Sequence, residues 1–358
     1  MAHALVLGRR GLGRTWPNPA VGCVIVKEGR VVGRGSTALG GRPHAEPIAL
    51  SHAGRAAKGA TAYVTLEPCA HHGKTPPCTE ALVAAGIVRV VIALRDPDPR
   101  VDGGGIARLK AAGLSVTEEV LAERAEEDQI GFLMRLRLGR PMVTLKLANS
   151  FDGRIATAAG ESQWITGPLA RRLVHAERAQ HDAVLVGGET ARLDNPSLTV
   201  RGLGVIHQPV RLVVSRGLDL PIDGSLVQTA QEIPVWVLHG SDAPRDRVEH
   251  LSALGARCLE TPMGQDGHLD AHAMLRVLGK TGLTRVFCEG GGRLAASLLQ
   301  ADLVDRLVGF TAGLAIGAEG RPSLGPMGIA ALSDAPRFDL RETRGIGGDI
   351  LHIWHRRR

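Results

Sequence analysis

The chain has 358 residues, 44% hydrophobic and 22% charged, with a formal net charge of +7. This is the composition of a soluble globular protein, too long for one ordinary core. Five cysteines, sparse and odd in number, exclude a disulfide framework and point to the reducing cytosol.

The N-terminal run MAHALVLGRR has helical periodicity and ends near Gly11 and Gly13. It lacks the long apolar centre and small-residue cleavage site of a signal peptide. AVGCVIV and RVVGRG are strand-like and joined by Lys-Glu-Gly, which predicts a hairpin. HAEPIALSHAG predicts a helix with Pro47 in its first turn, where proline is tolerated. TAYVTLE follows as a strand, CTEALVAAG as a helix closed by Gly86, VRVVIAL as a buried strand and IARLKAAG as a helix. LSVTEEV and LAERAEEDQIGFLMRLRLG complete the unit. The alternation predicts an α/β domain with helices layered on a sheet. The apolar runs have strand length, and none reads as a membrane span.

LGRPMVT reads as a joint, because Gly139 and Pro141 stop the preceding helix and MVTLKLA opens a new series of strands. The expected domains are 1–140 and 141–358. In the second, PLARRLVHAERAQ and LAASLLQADL have helical spacing. DAVLVGG, PVRLVVS, IPVWVLHG and TRVFCEGGG have that of strands. No internal repeat or low-complexity segment is present.

The densest chemistry lies in GRPHAEPIAL and YVTLEPCAHHGKTPPCTEAL. His44, Cys69 and Cys78 offer one nitrogen and two thiolates, the donors zinc favours, and three ligands leave a fourth position for water. His-x-Glu followed by Pro-Cys and a second Cys is the zinc deaminase pattern. At a helix start both His44 and Glu46 can lean towards a metal off the helix end. Helix starts at both His44 and Cys78 favour thiolate and hydroxide. Zinc lowers the pKa of water from 15.7 to about 7. Glu46 then serves as proton shuttle rather than ligand. The alternative is a closed structural knuckle with His71 or His72 as fourth ligand, in which Glu46 has no purpose. Eight residues separate the two cysteines instead of two. Lys74 and Thr75 in that loop are suited to holding a phosphate.

These motifs, with PNPAVGCVIV and IVRVVIALRDPDPRV, resemble the deaminase domain of the bifunctional riboflavin-biosynthesis family. That family fuses a diaminohydroxyphosphoribosylaminopyrimidine deaminase to a 5-amino-6-(5-phosphoribosylamino)uracil reductase. The resemblance implies a cytidine-deaminase-like α/β/α layered domain and one zinc per chain on His44, Cys69 and Cys78. It also implies a proton shuttle at Glu46 and a substrate contact at Asn18. Read alone, Asn18 is a turn residue between two prolines.

LKLANSFDGRIATAAGESQWITG, HAERAQHDAVLVGGETARLDNPSLTVR and VFCEGGGRLAASLL are similar to the reductase domain of the same family. The similarity is weak between about 216 and 280. It implies a dihydrofolate-reductase-like α/β fold that uses NADPH. No Gly-x-Gly-x-x-Gly follows a first strand, so a Rossmann domain is not indicated. The glycines of EGGGRLAASLL can cradle a phosphate or pyrophosphate, although alone they often mark only a turn. Family correspondence puts Gly291, Gly292, Arg293, Leu294, Ala295, Ala296 and Ser297 on the cofactor, with Ala148, Trp164, Thr190 and Asp194. It puts Ser162, Arg178, Leu198, Arg201 and Glu289 on the substrate, and Lys146 near them. Ser215 stands where the family commonly has an acidic residue, so neither it nor Arg216 is assigned to the cofactor.

Two successive steps of riboflavin synthesis are therefore expected: release of ammonia from a phosphorylated pyrimidine, then hydride delivery to the ribose C1′. The rivals are a nucleic-acid-editing deaminase, a non-catalytic zinc module, and a chain active in one domain only. The charge of +7 suits the first rival, but there is no long Lys/Arg block and only ten aromatic residues are available for stacking. A small-molecule substrate, no nucleic acid and no membrane are expected, with self-association left open.

Overall fold

A computed structural model describes residues 1–72, 76–99 and 101–357. The chain forms two compact units, Met1–Gly139 and Arg140–Arg358.

The first unit has five strands: β1 (Gly22–Lys27), β2 (Arg30–Ser36), β3 (Thr61–Val64), β4 (Arg89–Ile92) and β5 (Ser115–Thr117). They pair in the order β2-β1-β3-β4-β5, antiparallel across β2-β1-β3 and parallel across β3-β4-β5. The expected hairpin turns at Glu28 and Gly29, both with positive φ. Five helices accompany the sheet: α1 (Ala2–Arg9), α2 (Ala45–Ala53), α3 (Cys78–Ala84), α4 (Gly104–Ala111) and α5 (Ala122–Leu138).

Strand alternation sorts the two faces. Cys23 and Ile25 of β1 join Ala45 and Ala49 of α2 in the main core, whereas Val24 between them joins Ala4 and Leu7 of α1 on the other face. Helix α2 lies against bare backbone. A Cβ on Gly33 or Gly35 of β2 would run into the carbonyl oxygens of Ala49 and Ala45. Those glycines let the start of α2, with His44 as its N-cap, settle against the sheet.

In the second unit nine strands form one sheet. They are β6 (Met142–Ser150), β8 (Ala183–Gly187), β9 (Val210–Val214), β10 (Val235–His239), β11 (Arg257–Glu260), β12 (Arg285–Cys288), β13 (Arg306–Ala312), β15 (Phe338–Ile346) and β16 (Asp349–Arg356). Two short strands, β7 (Arg154–Ala156) and β14 (Arg321–Pro322), pair apart from it. The order is β11-β10-β9-β8-β12-β6-β13-β16-β15, parallel from β11 to β13 and antiparallel over the last two strands. The helices are α6 (Pro168–Ala179), α7 (Gly188–Asp194), α8 (Ser225–Gln228), α9 (Arg245–Ala253), α10 (Ala271–Lys280) and α11 (Gly292–Gln300).

Strand β12 enters late in the chain between β8 and β6, and the next strand, β13, flanks β6 on its other side. The direction of strand addition reverses there, and ligand crevices form outside the carboxyl ends of strands at such a point. Gly187 ends β8 and Glu289 follows β12, while Lys146 lies mid-strand in β6, one residue beyond the stretch that pairs with β12.

Candidate functional site

In the first unit the three expected ligands converge. His44 Nδ1 lies 3.3 Å from Cys78 Sγ and 3.7 Å from Cys69 Sγ, and the Cys78 amide is 3.4 Å from Cys69 Sγ. All three donors lie within 4.8 Å of one another. Bonds of 2.0–2.3 Å at tetrahedral angles put neighbouring donors about 3.5 Å apart, so the set fits zinc. The Cys78 hydrogen bond pulls Cys69 down to about 4, and the same bond with burial pushes Cys78 up.

Neither His71 nor His72 completes a closed site among the described residues. His72 Nε2 faces Glu80 at 3.7 Å on the surface, and His71 Nδ1 is buried without a hydrogen-bond partner among them. Glu46 sits two residues into α2, only 3% exposed. Burial pushes its carboxyl up to about 7, against the pull of His44. Asn18 packs over Gly41, three residues before His44. Lys74 and Thr75 lie outside the described residues.

Glu67, two residues before Cys69, carried no sequence signal. Its buried carboxylate accepts from the amides of Gly105 (2.9 Å), Gly103 (3.1 Å), Ile106 (3.1 Å) and Asp96 (3.3 Å). It ties the loop leading to Cys69 onto the start of α4.

The second unit gathers most of the expected residues into two groups. Arg178 on α6 grips Glu289 with two bonds, Nε to Oε1 at 2.5 Å and Nη2 to Oε2 at 3.0 Å, and gives a third from Nη1 to the Thr199 carbonyl at 2.8 Å. Burial alone would raise the Glu289 carboxyl, but Arg178 and Lys146 outweigh it and hold it down. Lys146 is half-buried, and desolvation lowers its pKa against the attraction of Glu289. Leu198 is buried with φ of +52°, one residue before Thr199. The Arg201 amide reaches His175 Nδ1 at 3.2 Å.

The other group surrounds the glycines after β12. The Gly291 amide donates to Thr190 Oγ1 at 3.3 Å, which joins the starts of α7 and α11. A Cβ on Gly290 would lie 2.6 Å from the Gly187 nitrogen and 2.7 Å from Val186 Cα, so the loop lies directly on β8. The bare amides at the start of α11 belong to Gly292, Arg293 and Leu294. The Ala295 amide is spent on the Gly291 carbonyl, and the Ala295 and Ala296 side chains are buried in the core. This glycine cradle beside Thr190 is suited to a phosphate-bearing cofactor.

Asp194 ends α7 within the field of Arg321, and burial raises its carboxyl. Ala148 pairs with Phe310 across β6 and β13. Trp164 is 67% exposed, and the Arg171 guanidinium lies 4.5 Å over its ring. Ser162 precedes it in the same loop. Ser215 is buried and donates to Asp219, while Arg216 pairs with Asp242 and the Gly267 carbonyl. Both are thus engaged locally.

Comparison with known proteins covers both units. Residues 1–94 match the model of the cytidine and deoxycytidylate deaminase zinc-binding region, and residues 141–352 match that of the RibD C-terminal domain. The riboflavin biosynthesis protein RibD of Escherichia coli is 43% identical, covering 99% of this chain and 98% of its own. That of Aquifex aeolicus is 38% identical, with 99% and 97% covered. The structure of Acinetobacter baumannii RibD superposes with a TM-score of 0.89 at 37% identity, covering 99% of this chain and 97% of the other. A diaminohydroxyphosphoribosylaminopyrimidine deaminase/5-amino-6-(5-phosphoribosylamino)uracil reductase from Thermotoga maritima superposes at 0.86, with 33% identity and 100% and 97% covered.

Proposed function

The chain belongs to the RibD family of riboflavin biosynthesis proteins, and from that premise we propose how its residues divide the work. It is a bifunctional enzyme, with a zinc-dependent deaminase unit followed by an NADPH-dependent, dihydrofolate-reductase-like unit. It acts on a small phosphorylated pyrimidine.

His44, Cys69 and Cys78 hold the zinc, and Asn18 contacts the substrate. Zinc supplies a Lewis acid that makes water nucleophilic near neutral pH. Glu46 takes one proton from that water and gives it to the ring nitrogen, then takes the proton of the new carbon-bound hydroxyl and delivers it to the leaving amine. Carbon–oxygen bond formation and loss of ammonia convert the diaminopyrimidine to the uracil. A buried carboxyl with a pKa raised to about 7 can both take and give a proton at neutral pH.

In the second unit Gly291 to Ser297, with Ala148, Trp164, Thr190 and Asp194, hold NADPH, which supplies a hydride to the ribose C1′. Ser162, Arg178, Leu198, Arg201 and Glu289 hold the substrate. Lys146, half-buried within the field of Glu289, holds the proton that the opening sugar oxygen takes up. We place the enzyme in the cytosol, without nucleic-acid or membrane partners. Five free cysteines support this, and no helix among the described residues is long and apolar enough to cross a membrane.

The observation that carries the deaminase assignment is the three-donor cluster with Glu46 buried beside it. The test is mass spectrometry of the diaminopyrimidine ribose phosphate after incubation with zinc-loaded protein. Replacement of an amino group by oxygen is expected without NADPH, and gain of two hydrogens only with it. Zinc-loaded protein that makes neither change sinks the reading.

A further inference from the structure

The segment that carries Asn18 has little backbone of its own to hold it. Proline at positions 17 and 19 removes the amides on both sides of Asn18. The Asn18 amide reaches the Thr15 carbonyl at 3.0 Å, and Thr15 Oγ1 donates back to the Asn18 carbonyl at 3.2 Å, so this turn closes on itself. Two carbonyls flanking Asn18 are taken by side chains of α5, 109 and 118 residues later in the chain. Gln129 Nε2 donates to the Ala20 carbonyl at 2.6 Å, and Arg135 Nη2 donates to the Pro17 carbonyl at 3.1 Å.

Gln129 is buried on α5 close to Phe132 and Leu133 of the main core. A carboxamide in such a place is costly unless it is bonded, and the Ala20 carbonyl supplies the bond. That carbonyl also lies against α1, where a Cβ on Gly8 would sit 2.9 Å from it. Arg9 of α1 is in turn tied to Asp128 of α5 at 2.7 Å. On the other side of the loop the Asn18 carboxamide fills the space left by the missing Cβ of Gly41, whose φ is +86°. His44 follows three residues later. Asn18 therefore stands between α5 and the loop that leads to the metal cluster.

We propose that Gln129 and Arg135 are positioning residues of the deaminase. They pin the carbonyls flanking Asn18 to a 17-residue helix and so fix the Asn18 carboxamide where the substrate meets it. They act through Asn18 rather than on the substrate. This rests on the reading of Asn18 as a substrate contact.

The test uses the full zinc-loaded chain. Gln129→Met removes the donor and keeps the side-chain length. Arg135→Met, at a half-buried position, does so with less risk to folding, and Arg135→Lys is the donor-keeping control. Deamination kinetics are measured for each variant alone and combined with Asn18→Ala. Loss of one hydrogen bond to the loop predicts about five- to tenfold higher KM, with kcat within about twofold. Arg135→Lys should recover part of the loss. Once Asn18 is alanine, either Met variant should add less than about twofold, because sites that act through one another are not additive. Zinc content and reduction of the deaminated substrate should match the wild type, which reports an intact chain. A full multiplicative effect in the Asn18→Ala background is the mark of a merely structural role and overturns the proposal. Wild-type KM in both Met variants, beside a weakened Asn18→Ala, sinks the positioning role alone. Wild-type kinetics in Asn18→Ala instead sink Asn18 as a substrate contact, and the positioning role with it.

Discussion

Arg178 and Glu289, 111 residues apart in the chain, form a two-bond ion pair with side chains only 11% and 10% exposed. Arg178→Ala would leave a carboxylate in a buried place with Lys146 as its remaining cation. A loss of about 3 kcal/mol in stability is expected, at the lower edge of broken buried pairs because Lys146 stays. Denaturant unfolding of the variant measures it. The reductase step should be abolished and deamination retained.

The same pair sets an acid limb. The Glu289 carboxyl is held below its ordinary 4.5, chiefly by Arg178 and Lys146 against burial. A depressed folded pKa adds stability that is complete above about 4.5 and is lost as pH falls through the folded value. Thermal midpoints measured from pH 6 down to pH 3 should fall for the wild type. The fall should be shallower in Glu289→Gln, and an identical slope would refute the linkage.

Glu46→Gln should keep zinc, because His44, Cys69 and Cys78 are the three donors of the cluster. Deamination should drop by about 10²–10⁴-fold, the usual contribution of a positioned acid–base group. Reduction of the deaminated substrate should continue. Metal analysis with both assays decides it, and loss of zinc would move Glu46 among the structural residues.

Zinc removal should expose a reactive thiolate. The Cys78 hydrogen bond pulls Cys69 down to about 4, so it is ionised at neutral pH when metal-free, and it is half-buried rather than fully covered. Alkylation mapped by mass spectrometry should mark Cys69 ahead of the buried Cys23 and Cys288 after chelation. Zinc should protect it.

Gly290→Ala tests the close seat of the glycine loop on β8. The new methyl would meet backbone at 2.6 and 2.7 Å, where no side chain can yield. A cost of about 1–3 kcal/mol is expected from overpacking, with weaker NADPH binding read by fluorescence titration. Wild-type affinity in this variant would separate the loop from the cofactor.

The sequence by itself determined the deaminase site, because its chemistry is local. His44 and Glu46 flank one helix start, Cys78 opens another, and the donor types name the metal. Strand and helix periodicity also revealed most of the α/β elements, since periodicity reports which face is buried. It could not report neighbours. β15, exposed along most of its length, has no burial alternation to read, and β11 and β13 likewise carried no signal that was recognised. Family resemblance assigned both Arg178 and Glu289 to the substrate, but not to each other. That pairing came only from the insertion of β12 between β8 and β6, a contact across 111 residues. Glu67 was invisible for the same reason. Its meaning lies in amides supplied by distant segments, and only packing decides which distant segments meet.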